Sequence, residues 1–226
     1  MVDREAERLE RLWAGEFGDA YVDRNLAAYE ERRDFWERLL TEHTCSSALE
    51  IGCNVGGNLR WIARHVAHAA GLDVNAHAVD LLRQRLPGVR AVVGSATELP
   101  FPDGEFDLVL TMGVLIHLPD SILGRVMDEM VRCSRRYLLC GEYFAHEPVE
   151  VPYRGHRGAL FKRDYGRLFA ERFPELALLE TGFLSRDEGF DDVTWWLFER
   201  TVPSVASTDE RTAATTRSTS SSDMAG

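Results

Sequence analysis

The stretch Ala48-Leu49-Glu50-Ile51-Gly52-Cys53-Asn54-Val55-Gly56-Gly57-Asn58 carries the residue types that a nucleotide-like ligand needs. An apolar run ends in an acid and a glycine-rich turn, and Leu59 to Val66 continues at helical spacing. The pattern is strand, tight turn and helix, which aims free backbone N–H groups at a ligand. The glycines permit positive φ and close approach. A dinucleotide fingerprint would need glycine at 52, 54 and 57. Position 54 is asparagine, which tolerates a left-handed conformation but would obstruct a pyrophosphate with its side chain. A ligand without phosphates is favoured, and the rival reading, a nicotinamide-dependent oxidoreductase, is disfavoured.

A second apolar run ends at Asp73, 21 residues beyond Gly52, where a strand-end carboxylate accepts both ribose hydroxyls. Gly94-Ser95-Ala96-Thr97-Glu98-Leu99-Pro100-Phe101 and Phe106-Asp107-Leu108-Val109-Leu110-Thr111 follow. S-adenosylmethionine is the phosphate-free ligand that suits this set. Over roughly residues 45–200 the chain resembles the class I methyltransferases that use it. Glu-x-Gly-x-Asn-x-Gly resembles their first motif, with the central glycine replaced. The resemblance implies that Asp73 takes the ribose, Ser95-Ala96 the adenine edge, and Thr111 to His117 the strand end facing the acceptor. The expected cofactor residues are Glu50, Gly52, Cys53, Asn54, Gly56, Asn58, Asp73, Val74, Ser95, Ala96 and Met112, with Tyr21 and Arg24 at the methionine end.

Methyl transfer from a sulfonium is an in-line displacement, so alignment and desolvation are the main tasks of the site. A hydroxyl acceptor also needs a base, whereas a carboxylate or phosphonate oxygen does not. His117, just past the fourth strand, is the best candidate base, with Tyr29 beside it on the acceptor side; the plainer role for His117 is a hydrogen bond to a neighbouring loop. The Asp/Asn-Pro-Pro-aromatic signature of many amino-group methyltransferases is absent at Thr111-Met112-Gly113-Val114. From 151 to 163 there are cations and no acid: Tyr153, Arg154, His156, Arg157 and Lys162 are candidates for an anionic acceptor. A solvated face is the alternative. Trp13 to Asn25, Gly113 to His117, Pro152-Tyr153-Arg154-Gly155-His156-Arg157 and Thr194-Trp195-Trp196-Leu197 together resemble the pseudaminic-acid-biosynthesis-associated methylases. That resemblance implies an anionic sugar context, and phosphonate O-methyltransferases share the general design. The non-enzyme alternative is a cofactor-binding accessory subunit without turnover.

The elements that must position these groups alternate along the chain. Strands are expected near 48–52, 69–73, 89–93, 106–111, 136–143, 176–183 and 193–199, and helices near 57–67, 76–85, 121–133 and 161–172. Regular βα alternation predicts an α/β fold: a doubly wound, Rossmann-like seven-stranded sheet with an antiparallel closing pair. Residues 1–44 read as a helical cap or lid, its apolar stripe broken at Gly15 and Gly18, with Tyr21, Arg24 and Asn25 either supplying polar groups to the site or merely capping and packing. Residues 45–200 form the core, and the Ser/Thr-rich segment 201–226 is expected to be disordered.

Composition narrows the partners. A net charge of −11 over 226 residues argues against nucleic acid or an anionic membrane as the main partner. The start of the chain lacks the apolar segment of a signal peptide, so a cytoplasmic protein is expected. Cys45, Cys53, Cys133 and Cys140 form no Cys-x-x-Cys pair, and no acidic cluster announces a metal. Nothing in the chain specifies an oligomeric state.

Overall fold

A computed structural model describes residues 4–26 and 29–201. Its strands are β1 (Ser47–Ile51), β2 (His68–Asp73), β3 (Arg90–Val93), β4 (Phe106–Met112), β5 (Ser134–Glu142), β6 (Val149–Glu150), β7 (Phe161–Lys162), β8 (Leu176–Leu184) and β9 (Val193–Arg200). Its α-helices are α1 (Arg4–Ala14), α2 (Glu16–Arg24), α3 (Arg33–Glu42), α4 (Leu59–Ile62), α5 (Ala76–Arg85), α6 (Asp120–Cys133) and α7 (Tyr165–Arg172). Apart from Thr201, the expected disordered tail lies outside the described residues.

Seven strands form one sheet in the order β3-β2-β1-β4-β5-β9-β8, parallel except for β9, which runs antiparallel to both neighbours. The expected closing pair is therefore present, but the last strand among the described residues is inserted inside the sheet. Alternation distributes the core. Leu49, Val109, Leu138 and Phe198 face the layer of α6 and α7, while Ala48, Leu108, Leu139 and Leu197 face that of α3 and α4. Every residue of β1 is buried, as expected of a central parallel strand covered on both faces.

Three expectations are corrected. Helix α3 is not part of a lid: Phe35, Trp36, Leu39 and Leu40 pack on the sheet, so the cap reduces to α1 and α2. The helix expected over 57–67 is a single turn, α4, continued by tighter turns such as Arg64 N–H to the Trp61 carbonyl. The helix expected over 161–172 starts only at Tyr165, behind Asp164, whose side chain accepts from the Arg167 N–H at 2.9 Å. Phe161 and Lys162 instead pair with Val149 and Glu150.

Helix α3 as a core layer predicts a large loss on truncation. Trp36 is 0% exposed, and Trp36→Ala should cost about 3–5 kcal/mol in chemical denaturation. A loss below about 1 kcal/mol would return α3 to the cap.

Candidate active site

Strands β1 and β4 are neighbours whose following segments diverge to opposite sides, which opens a crevice at the carboxyl edge of the sheet. There a cavity of about 910 Å³ is closed from above by α1 and α2. Its floor is the turn after β1. Gly52 has φ +69°, and a Cβ there would come within 2.3 Å of Val114 Cγ2. Asn54 takes the left-handed conformation expected of it, at φ +47°. That conformation aims its N–H at Asp73 Oδ2, 2.8 Å away, while Asn75 N–H reaches Oδ1 at 2.9 Å. Burial raises the pKa of Asp73, and the N–H groups of Asn75, Asn54 and Val74 oppose that rise. Each carboxylate oxygen keeps a further lone pair for the cavity.

Glu50 lies beneath the turn, 2% exposed. Its Oε1 accepts from Asn58 Nδ2 at 2.6 Å, and Oε2 has no partner. Burial pushes its pKa up to about 8, although Asn58 and Arg32 pull it down. Asn54 Oδ1 and Trp13 Nε1 are likewise buried without partners, and all three residues line the cavity. Unpaired buried polar atoms are costly, so they mark where a polar ligand belongs. Together with the Asp73 carboxylate and the polar Ser95–Thr97 edge, they fit a nucleoside joined to an amino acid.

The loop after β4 is fastened from below. Glu142, fully buried at the end of β5, accepts from Thr111 Oγ1 (3.0 Å), Val114 N–H (3.3 Å) and Ile116 N–H (3.2 Å). Burial still outweighs these bonds and holds its pKa near 7. His117 follows in a short helical turn and lines the cavity. Its Nδ1 lies 2.6 Å from the Ala159 carbonyl. A carbonyl only accepts, so Nδ1 carries the proton and Nε2 keeps its lone pair. Burial lowers the pKa to about 4 despite that bond, so the imidazole is neutral near pH 7. His117 thus bonds a neighbouring loop and also faces the cavity.

The basic stretch forms an arm. Strands β6 and β7 carry a hairpin in which Tyr153 and His156 exchange both backbone hydrogen bonds at 2.9 Å. Arg154 and Gly155 occupy its tip at φ +48° and +87°, the sense of a primed turn. The arm grips the cap through rings. Trp13 packs on His117 (centroids 4.5 Å) and faces Tyr153 (6.3 Å), while Phe17 meets His156 edge-on at 5.1 Å. Arg8 also donates to the Arg157 carbonyl at 3.2 Å.

Most of the expected site residues converge on this cavity. Glu50, Gly52, Cys53, Asn54, Asn58, Asp73, Val74, Ser95, Ala96 and Met112 line it, as do Tyr21, Arg24, Tyr29, His117, Tyr153 and Arg154. Four are not in its wall. Gly56 instead serves packing: a Cβ there would meet Leu82 Cδ1 at 2.5 Å. His156 meets the cap ring of Phe17, the Arg157 carbonyl accepts from Arg8 of the cap, and Lys162 sits over the ring of Tyr143, itself in the wall, at 5.6 Å. Sequence reasoning missed Arg32, Asn75, Arg186 and Asp191, all in the wall. Arg32 stacks on Tyr29 and donates to the Gly189 carbonyl (2.8 Å) and to Asn58 Oδ1 (3.0 Å). Asn75 was legible as an N-cap before a helical run. Arg186 lies in what reads as a plain link between strands. The cluster of Glu42, His43 and Glu180 lies away from the cavity and is already engaged by Arg38.

The sheet order, with the glycine turn after β1, is that of the class I S-adenosylmethionine-dependent methyltransferase fold. Residues 48–136 match the family model described as a methyltransferase domain. The chain is 41% identical over 109 residues to a fatty-acid O-methyltransferase of Mycolicibacterium smegmatis, covering 46% of this chain and 38% of that protein. It is 37% identical over 102 residues to the phthiotriol/phenolphthiotriol dimycocerosates methyltransferase of Mycobacterium tuberculosis, covering 43% and 36%. The chain thus spans well under half the length of these curated relatives. Among solved structures it is similar to the 1,6-didemethyltoxoflavin-N1-methyltransferase of Burkholderia thailandensis, with TM-score 0.69, 15% identity and coverage of 89% and 92%. S-adenosylmethionine is the cofactor of this class. No helix among the described residues is long and apolar enough to cross a membrane.

Two predictions follow from the buried acids. Asp73→Ala should weaken S-adenosylhomocysteine binding by about 1.5–3 kcal/mol in calorimetry, the worth of hydrogen bonds to a charged group; unchanged affinity would remove Asp73 from the site. The second concerns pH. Glu50 and Glu142 hold their protons more tightly folded than unfolded. Their contribution to stability is complete below about pH 4 and is lost as pH rises through about 7–8. The melting temperature of the cofactor-free protein should therefore fall over that window, and less steeply in Glu50→Gln or Glu142→Gln. Identical slopes in all three proteins would mean that neither carboxyl is perturbed.

Proposed function

We propose that this protein is an S-adenosylmethionine-dependent methyltransferase that O-methylates a small anionic acceptor in a biosynthetic pathway. The observation that carries the reading is a cavity wall that combines Arg154, and Arg186 beside its partner Asp192 (3.0 Å), with a neutral His117. Such a wall has charge to hold an anion and, in His117, a hydrogen-bond acceptor too weakly basic to deprotonate a hydroxyl efficiently. An ionised carboxylate or phosphonate needs no deprotonation. By its name, the mycobacterial relative acts on a fatty acid at oxygen, which supports the same acceptor chemistry. The motif resemblance to the pseudaminic-acid-associated methylases supports an acidic sugar within that class.

Bound S-adenosylmethionine would supply an electrophilic methyl group on a sulfonium. Asp73 and the Gly52–Asn54 turn would hold the nucleoside, Ser95 and Ala96 the adenine edge, and Glu50 with Asn54 the polar groups of the amino-acid end. Arg154 and Arg186 would hold the acceptor's charge, while Tyr21, Tyr29 and Tyr153 orient it and His117 Nε2 accepts a hydrogen bond. Burial raises the pKa of Tyr21, so its phenol stays a donor at neutral pH. Cap and arm exclude water, which strengthens each of these contacts.

In a screen of acceptors, Arg154→Ala and Arg186→Ala should each raise the acceptor KM about 10- to 100-fold with cofactor affinity unchanged. Arg157→Ala and Lys162→Ala, outside the wall, should stay near wild type. His117→Ala should lose less than the about 10²-fold expected for a general base, with no inflection near pH 6.5. Neutral or amine acceptors methylated as fast as anionic ones, with both wall arginines dispensable, would refute the anionic acceptor. Binding of S-adenosylhomocysteine without turnover on any acceptor would favour the accessory-subunit alternative.

A further inference from the structure

Asn75 is 3% exposed and spends every polar group it has. Its N–H donates to Asp73 Oδ1 at 2.9 Å, and its side-chain oxygen accepts from Ala78 N–H at 2.9 Å as the N-cap of α5. That second bond fixes the orientation of the amide, so Nδ2 must point the other way. There it donates to the Trp13 carbonyl (3.0 Å) at the end of α1 and to Asp19 Oδ1 (2.8 Å) on α2. One residue thus joins the ribose-type carboxylate, through its backbone, to both cap helices, through its side chain.

Gly18 makes this junction sterically feasible. It lies inside α2, where glycine is about 1 kcal/mol worse than alanine. A Cβ there would stand 1.7 Å from the Trp13 carbonyl oxygen and 2.7 Å from Asn75 Nδ2. The space is occupied by the acceptor and donor of one of these bonds. Trp13, whose carbonyl is held, is also the residue whose ring covers His117.

We infer that Asn75 is a positioning residue that latches the cap shut over the cofactor end and thereby places the Trp13 ring on the acceptor side. Asp73 is held by the backbone of the same residue whose side chain holds the cap, so occupancy of the ribose site and closure of the cap stabilise each other. The inference rests on the cofactor reading above, and goes beyond it in assigning the closing contact.

The test uses the full chain, with S-adenosylhomocysteine as probe. Asn75→Asp keeps the N-cap oxygen but sets a carboxylate against the Asp19 carboxylate and the Trp13 carbonyl. Gly18→Ala forces the junction apart without changing a polar group. Each should speed probe dissociation about tenfold or more in stopped-flow fluorescence, the scale of one or two lost hydrogen bonds. Each should also abolish the protection from hydrogen exchange that the probe confers on residues 4–24 in the wild type. In Asn75→Asp, adding Asp19→Asn restores a donor facing an acceptor and should recover most of that protection. A purely structural role for Asn75 predicts lower melting temperatures with no rescue. Wild-type dissociation rates in both single variants, or a wild type whose cap is equally protected with and without probe, would overturn the latch. Failure of the wild type to bind the probe at all would refute the cofactor reading instead.

Discussion

Most of the site depends on one register. Parallel pairing sets Ile51 opposite Leu72, so the turn leaving β1 and the carboxylate ending β2 arrive at the same height. Gly52 and Cys53 N–H groups both reach the Leu72 carbonyl, at 2.7 and 3.1 Å, and the turn is seated before any ligand is present. Asn54 N–H can then meet Asp73. A slip of one residue would invert every side chain of the strand and carry Asp73 to the other face. Both strands are buried along nearly their whole length, so a slip would force both covering layers to repack, and apolar packing secures the position of this carboxylate.

Above this foundation the site is assembled from segments far apart in the chain, and aromatic surface joins them. Trp13 and Phe17 come from the cap, His117 from the loop after β4, Tyr153 and His156 from the arm. Such rings supply contact area without fixing a single geometry as tightly as hydrogen bonds do. The directional contacts lie at the edges: Asn75 at one side, and at the other Arg32, which ties Tyr29 to the loop carrying Arg186 through the Gly189 carbonyl.

How much of this was legible depended on whether the signal was local. Strands β1, β2, β4 and β5 read as apolar runs because both their faces are covered, and Asp73 was found by distance along the chain from the turn. The left-handed Asn54 followed from its residue type. The placement of β9 between β5 and β8 did not, because strand order is decided by long-range pairing that leaves no local trace. The stretch 151–163 shows the same limit. Its charges were visible, but which of them face the cavity depends on a primed turn at Arg154-Gly155 that sends Arg157 to the cap side. Phe161 and Lys162 read as helix because a two-residue ladder is too short to impose alternation.

The interior position of β9 also bears on how the chain is made. Among the described residues β8 has no partner other than β9, and β5 has no second neighbour without it. Until residue 200 leaves the ribosome, the nascent sheet ends at an open β5 edge, and β8 waits with Leu178 and Phe183 facing water, as they do even in the finished fold. Vectorial synthesis therefore delivers the capping strand last, and the interval before it arrives is when this protein is most open to pairing with the wrong edge.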